Sequence, residues 1–554
     1  MVSEQVDERA ILAARGQGLV EGKNWQEATE PSGGTCVSYV VKHILTLLSE
    51  GMEYEDDSPL PLLYGHGIPC CQPGTRTTIL ADINQWATDT SVKEQIYWLN
   101  DAAGTGKTTV AATCARNWQG NNTLCGRFFF TPNSEASSGI DRFCTTVAKD
   151  IAFLLPSLDS CIKNALKEVS KRRCGFHEQF EKLIVKPLQS SKLDSHRVLI
   201  LDALDNCDSS GRSTLLNCVL EHLPSIRNVK LLITSRPSLD IVSVLSKSAL
   251  VRGHDVQLLD IHDKTHADVR TYVGDTLTRL NDQQREQIVE YSGGLFIVAA
   301  TICRMLRLSA QPATLLTKLL TADDKDHLDE LYLEVLRQAV WNGGAHEKMM
   351  KVLQIIIIAF QPVSINTIAY FLSAKFDVGK LVQDLAAVLK DGHPERPIKV
   401  LHPTFREFLS EYDRANGFII TAPSSHALTA VGCLDALEKL LDHDILRLGR
   451  DHKLIPRNSN VDNLNKRLSI ATTAALRYAS SYWAHHVAAS LDDSDVWMRT
   501  MHFLGTKALN LVELMSWRGD LRGCIQGLSR LRIKVLHSLH KGPDLLVSPC
   551  QPQP

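Results

Sequence analysis

The sequence predicts an α/β core built on a parallel sheet, followed by a helical domain, a winged helix and a C-terminal all-α region. Three observations carry this expectation. Between Thr75 and Leu259, short uninterrupted apolar runs recur with amphipathic stretches between them, the pattern of strands buried on both faces and alternating with helices. Beyond residue 260 such runs largely cease and helical spacing of apolar residues takes over. The length, 554 residues, is that of three or four domains rather than one.

Taken in order, residues 1–72 read as a leader: one amphipathic helix over Val37 to Leu48, an acidic run through Glu50, Glu53, Glu55, Asp56 and Asp57, and a Pro/Gly-rich linker from Pro59. Residues 73–259 form the α/β core, with strands expected at Ile96–Leu99, Arg127–Phe130, Val198–Leu201, Leu231–Thr234 and Val256–Leu259. After the first strand, Val110, Ala111, Cys114, Ala115 and Trp118 make one apolar helical face. Residues 260–345 form the helical domain, with helices over Asp268–Leu280, Gln283–Tyr291, Leu295–Leu308 and His327–Val340. Residues 346–415 place helices around Leu353, Ile368 and Leu385, then a turn-rich stretch and a short strand, Ile398–Leu401, the order of a winged helix. Residues 416–545 are helical without a repeat period, and 546–554 form a frayed tail.

Composition narrows the function classes. Sixty Lys and Arg balance sixty-two Asp and Glu, a net charge of -2 that argues against nucleic acid or anionic membrane as the main partner. The fourteen cysteines are scattered with no C-x-x-C pair, so they read as reduced, mostly buried thiols rather than zinc ligands. The N-terminus lacks an apolar secretory core, the run Ile355–Phe360 is too short to span a bilayer, and Arg304 ends the apolar stretch from Gly293. These features imply a soluble cytoplasmic protein.

The chemistry lies in Asp101-Ala102-Ala103-Gly104-Thr105-Gly106-Lys107-Thr108. Phosphates bind loops whose N–H groups point inward, which glycines permit, at the positive end of a helix. The whole is thus an α/β P-loop NTPase core. Ala103, Gly104, Thr105, Gly106, Lys107, Thr108 and Thr109 are the expected nucleotide contacts, with Lys107 on the β/γ-phosphates and the Thr108 hydroxyl on Mg²⁺. Asp101 stands where the motif has glycine. Asp202, at the end of a buried strand, is the second expected Mg²⁺ residue; an alternative is that it simply caps the next helix. Asp205 is placed to polarise an attacking water and Arg236, just past the fourth run, to reach the γ-phosphate. No N-K-x-D guanine motif occurs, which favours ATP/ADP over GTP/GDP.

These elements in this order resemble the NACHT branch of the signal-transduction (STAND) ATPases, in particular the large fungal NACHT proteins related to animal NOD-like receptors. Pro73-Gly74-Thr75-Arg76, Trp86, Trp98-Leu99, Asp202-Ala203-Leu204-Asp205, Tyr291-Ser292-Gly293-Gly294-Leu295-Phe296 and Leu401-His402-Pro403-Thr404-Phe405-Arg406-Glu407-Phe408-Leu409 carry the likeness. Tyr478–His486 looks like the helical stretch that follows in the same proteins. The resemblance implies an innate-immunity-type signalling switch in which His402 contacts the β-phosphate of ADP, nucleotide exchange opens the chain, and the open form self-associates. On the residues alone, His402 reads more simply as a buried histidine bonded to backbone, and the adjacent His485-His486 pair is structural because metal pairs on a helix stand three or four apart. Asn206 replaces an acid common in the family, so hydrolysis is expected to be weak. No Trp-Asp dipeptide or repeat marks the usual sensor, leaving a sensorless or truncated member as alternatives. The competing reading is a nucleotide-free helical scaffold with a degenerate loop; a fast motor ATPase is disfavoured by Asn206.

Overall fold

The computed structural model describes residues 68–540, except 131–139, 141, 173, 192, 194, 253–261, 321–326, 342–345, 391–392, 416, 449–457, 459–460 and 491. The expected helix Val37–Leu48, the acidic run, the strand Val256–Leu259 and the tail all lie outside the described residues. The described residues divide into two compact units, one drawn from 68–338 and 401–415, the other from 339–400 and 417–540.

In the first unit, α1 (Thr77–Thr88) leads into β1 (Ile96–Asn100), α2 (Lys107–Gly120), β2 (Leu124–Phe129), α3 (Phe143–Leu154) and α4 (Asp159–Arg172). Then come α5 (Phe176–Phe180), a π-helical turn, α6 (Lys186–Ser190), β3 (Arg197–Asp202), α7 (Ser209–His222), β4 (Val229–Ser235), α8 (Leu239–Leu245) and β5 (Val251–Arg252). The five strands form one parallel sheet in the order β2-β3-β4-β1-β5. Every residue of β1, β2 and β4 is buried, the environment that favours apolar runs over alternation, with Arg127 and Lys230 as buried charged exceptions. The edge strand β5 was not expected, since two residues make no detectable run. Ile79, Ile83 and Trp86 of α1 and Val110, Ala111, Cys114, Ala115 and Trp118 of α2 are buried in this core. Phe143 stacks against Phe130 and Phe180 in a further aromatic cluster.

Four of the expected helices follow as α9 (His262–Thr276), α10 (Asp282–Ser292), α11 (Phe296–Leu308) and α13 (His327–Trp341), with α12 (Pro312–Leu320) between the last two. Asn281 and Gln284 form a reciprocal capping box that starts α10. Gly293 and Gly294, at φ 53° and 79°, break the chain between α10 and α11. After residue 400 the chain returns to this unit as α17 (Pro403–Ser410) and α18 (Tyr412–Ala415). Phe405 and Phe408 pack their rings 5.0 and 5.4 Å from Tyr332 of α13. Arg414 grips Asp329 through two 2.6 Å bonds, the bidentate geometry that holds planar groups in register.

The second unit contains α14 (His346–Ile358), α15 (Ile365–Phe371), α16 (Val378–Asp384), the antiparallel pair β6 (Leu389–Lys390) and β7 (Lys399–Val400), and helices α19 (Ala422–Leu440), α20 (Leu464–Ala471), α21 (Ala474–Ala488), α22 (Ser494–Thr506), α23 (Ala508–Trp517) and α24 (Leu521–His540). His486 is fully buried, bonded through Nε2 to the Tyr478 hydroxyl and through Nδ1 to His426 Nδ1, each at 2.9 Å. The second of these bonds joins α21 to α19. Of the described cysteines all are free and most are buried. Among the described residues no helix is long and apolar enough to cross a membrane.

Candidate functional site

Parallel strands all end on the same edge of a sheet, so the order β3-β4-β1 brings the residues that follow these three strands side by side. The loop after β1, Asp202 at the end of β3, and Arg236 after β4 therefore meet although 135 positions separate the first of them, Asp101, from the last. Gly104 and Gly106 take φ values of 81° and 97°, a left-handed backbone that side chains disfavour. Gly106 caps α2 from that conformation, turning the chain into a fourteen-residue helix whose N-terminus opens on the loop. Gly104, Thr105 and Lys107 are buried; Ala103, Gly106, Thr108 and Thr109 are half-buried.

Lys107 extends its ammonium along the loop and donates to the carbonyls of Asp101 (2.7 Å) and Ala102 (2.6 Å). Burial lowers its pKa, against the opposing pull of Asp205, Asp101 and Asp202. Asp101, in the glycine position of the motif, is buried and turns its Oδ1 onto the N–H of Ala102 at 2.6 Å. Its carboxylate is thus engaged with the loop's own backbone. Arg76 braces the loop from below α1, donating to Thr105 O at 2.6 Å, pairing with Asp268 at 3.9 Å and lying 4.8 Å over the Phe296 ring.

Asp202 is fully buried and accepts hydroxyl hydrogen bonds from Thr234 at 2.6 Å and from Thr108. The two residues expected to hold Mg²⁺ are therefore in direct contact. Burial nevertheless pushes Asp202 up to about 6, which marks a carboxylate short of positive charge. A hard cation with oxygen ligands suits this donor set, and Mg²⁺ characteristically takes one or two protein oxygens and completes its shell with phosphate and water. No group of three or more His, Cys, Asp or Glu suited to a metal occurs among the described residues. The pair would hold a metal only together with its ligand.

The sign of the Asp202 shift makes a prediction. Between its ordinary 3.8 and about 6, the folded chain holds a proton that the unfolded chain releases, so stability falls as pH rises through this window. Asp202→Asn is expected to stabilise the protein at pH 7.5 by roughly 2–3 kcal/mol, with the advantage closing below about pH 4. Thermal melts at several pH values check this; a variant less stable than the parent at pH 7.5 would contradict it.

Asp205 and Arg236 are brought together rather than set apart. Asp205 Oδ1 accepts the Arg236 N–H at 3.0 Å and Oδ2 lies 3.2 Å from Arg236 Nε. Nη2 of the same guanidinium donates to Glu407 Oε1 on α17. Asn206 donates to Phe130 O at 3.2 Å, closing the end of β2.

His402 lies at the start of α17, and a methyl group placed on Gly104 would sit 4.0 Å from its Cε1. Its Nδ1 accepts the Thr404 N–H at 3.2 Å and meets Thr404 Oγ1 at 2.7 Å, which in turn bonds the Tyr332 hydroxyl at 2.7 Å. A backbone N–H can only donate, so Nδ1 is the acceptor and Nε2 carries the proton. Withdrawal from water, with Arg236, Lys107 and Arg304 nearby, pushes His402 down to about 4. It is a neutral imidazole within reach of three cationic side chains.

Sequence reasoning missed Arg76, Thr234, Arg304 and Glu407 as members of this site. Arg76 and Glu407 fall inside segments that carry the family resemblance and Thr234 inside an expected strand, but nothing local in them announces their contacts.

The five-stranded parallel sheet, flanked by helices and carrying the glycine loop after β1, resembles a P-loop NTPase core. The family model described as Nephrocystin 3, N-terminal, matches residues 74–236, an interval that contains Arg76, the loop, Asp202, Asp205 and Arg236. Among solved structures the chain is similar to a signal transduction ATPase with numerous domains (STAND) protein with a tetratricopeptide repeat sensor from Pyrococcus horikoshii, at 12% identity and a TM-score of 0.43, over 87% of this chain and 67% of that one. It is also similar to a Walker-type ATPase of Pyrococcus abyssi, at 12% identity and a TM-score of 0.33, over 61% and 97%. A third likeness is to Cdc6p from Pyrobaculum aerophilum, at 12% identity and a TM-score of 0.28, over 62% and 92%. No curated protein matches the chain. The functional reading rests on the geometry of the site.

Proposed function

We propose that the chain is an ATP/ADP-binding molecular switch of the NACHT/STAND type, with Mg²⁺ held by Thr108 and Asp202 and with weak hydrolysis at most. The observation that carries this reading is the convergence of Lys107, the Thr108–Asp202 pair, Arg236 and His402 on the loop that follows β1. Lys107 would exchange its two carbonyl partners for phosphate oxygens, and the N-terminus of α2 favours the same negative charge. His402 Nε2–H would donate to a phosphate, its orientation kept by the Tyr332–Thr404 relay. Both Asp205 oxygens are engaged by Arg236, and Asn206 cannot act as a base. This arrangement supports retention of nucleotide over turnover.

In this reading, residues 73–259, 260–345 and 346–415 act as ATPase core, helical domain and winged helix of one cytoplasmic device, and exchange of ADP for ATP favours an open, self-associating form. A ligand shifts such an equilibrium only through its different affinity for the two states. The test is to purify the protein without added nucleotide, denature it and identify what is released. ADP in near-stoichiometric amount is expected. His402→Ala is expected to weaken ADP roughly tenfold, about the worth of one good polar contact, and to affect ATP less. A protein that carries no nucleotide and shows no ADP heat in calorimetry would instead be the scaffold.

A further inference from the structure

The guanidinium of Arg236 is shared between two carboxylates that differ in how firmly they hold it. Asp205 takes the backbone N–H and Nε with a side chain only 13% exposed. Glu407 takes Nη2 with a side chain 36% exposed, and the Arg236 side chain is itself 33% exposed. Ion pairs open to water contribute little and exchange partners readily, whereas shielded pairs persist. The Glu407 arm is thus the replaceable one, and it holds Nη2, a nitrogen for which Asp205 is not the partner.

Glu407 is also mechanically tied to the phosphate-facing histidine. His402 caps α17 and Glu407 sits in the same short helix. Phe405 and Phe408 clamp that helix onto Tyr332, whose hydroxyl bonds Thr404. Whatever pulls Arg236 away from Glu407 therefore acts on the element that carries His402.

Building on the nucleotide reading above, we infer that Glu407 is a specificity-determining carboxylate: it occupies on Arg236 the place a terminal phosphate of a nucleoside triphosphate would take. Carboxylate and phosphoryl oxygens offer a guanidinium the same planar acceptor edge. A diphosphate leaves the Arg236–Glu407 pair intact, with His402 positioned beside the loop. A triphosphate must displace Glu407, and the displaced, like-charged carboxylate then repels the incoming group. Glu407 sets the chain's preference for diphosphate and couples loss of that preference to release of α17.

The experiment is calorimetry on the full chain with Mg·ADP and a non-hydrolysable Mg·ATP analogue. The proteins compared are the parent, Glu407→Gln, Glu407→Ala, Arg236→Ala and the double variant Arg236→Ala/Glu407→Gln. Both Glu407 variants are expected to raise the triphosphate-to-diphosphate affinity ratio roughly two- to fivefold, and the effect should vanish when Arg236 is absent. An unchanged ratio in variants that still bind diphosphate overturns the inference while leaving the nucleotide reading standing. The same rise in the Arg236→Ala background also overturns it, because the effect would not pass through Arg236. A parent protein that binds neither nucleotide overturns the underlying reading and this inference with it.

Discussion

Lys107→Ala is expected to reduce nucleotide affinity at least about thirtyfold while leaving the protein folded. The ammonium is a buried cation whose partners are the Asp101 and Ala102 carbonyls. Removing it takes one charged donor from each carbonyl, a cost of roughly 1–3 kcal/mol, although Ala102 O keeps the Thr105 hydroxyl at 3.1 Å; it also removes a desolvated charge, whose burial is itself unfavourable. The two effects oppose each other, so the melting temperature should move little. Binding has no such compensation. Asp101, Asp202 and Asp205 all pull on Lys107; without it they face a polyphosphate directly. Loss of a charge-assisted contact in a shielded site costs about 2–5 kcal/mol, which is roughly thirtyfold to several-thousandfold in affinity. Calorimetry with Mg·ADP beside a thermal melt separates the two quantities. Unaltered ADP affinity would remove Lys107 from the site, and a collapsed melt with lost binding would point to a structural role only.

The parts of this site that were legible in the sequence are those that local backbone chemistry dictates. A glycine loop between a buried strand and a helix announces itself because left-handed residues leave few alternatives to glycine. Uninterrupted apolar runs announced β1, β3 and β4 for the same kind of reason, burial on both faces. The missing parts are contacts at long separation. Glu407 meets Arg236 across 171 positions and Thr234 meets Asp202 across 32; neither pairing exists until the strand order and the return of the chain at residue 401 are known. Arg304 read as an interruption of an apolar stretch, yet it stands close enough to His402 to help hold it neutral. Asp101 illustrates the opposite error. As a residue type it conflicts with a phosphate loop, but its carboxylate is taken up by the Ala102 N–H, a solution that only the geometry displays.

Gly104→Ala should be the most damaging single change in the first unit. The position carries two independent constraints. Its φ of 81° is left-handed, which costs a residue with a Cβ roughly 1–2 kcal/mol. A Cβ there would also stand 2.3 Å from Ile297 Cγ2 and 3.1 Å from Ile297 Cβ, and overpacking of this kind costs roughly 1–3 kcal/mol. Ile297 cannot simply yield, because its N–H donates to Gly104 O at 3.3 Å and the residue lies in the first turn of α11. The sum, roughly 2–5 kcal/mol, is a large share of a domain's stability, so a clearly lower melting temperature and loss of bound nucleotide are expected together. Adding Ile297→Ala separates the constraints: it removes the methyl that clashes at 2.3 Å but leaves the left-handed backbone. The double variant should recover part of the coupling between the two sites without regaining full stability, a signature a double-mutant cycle reads directly. If Gly104→Ala melts and binds nucleotide as the parent does, α11 does not rest on the phosphate loop, and the seat that brings His402 within reach of it is wrong.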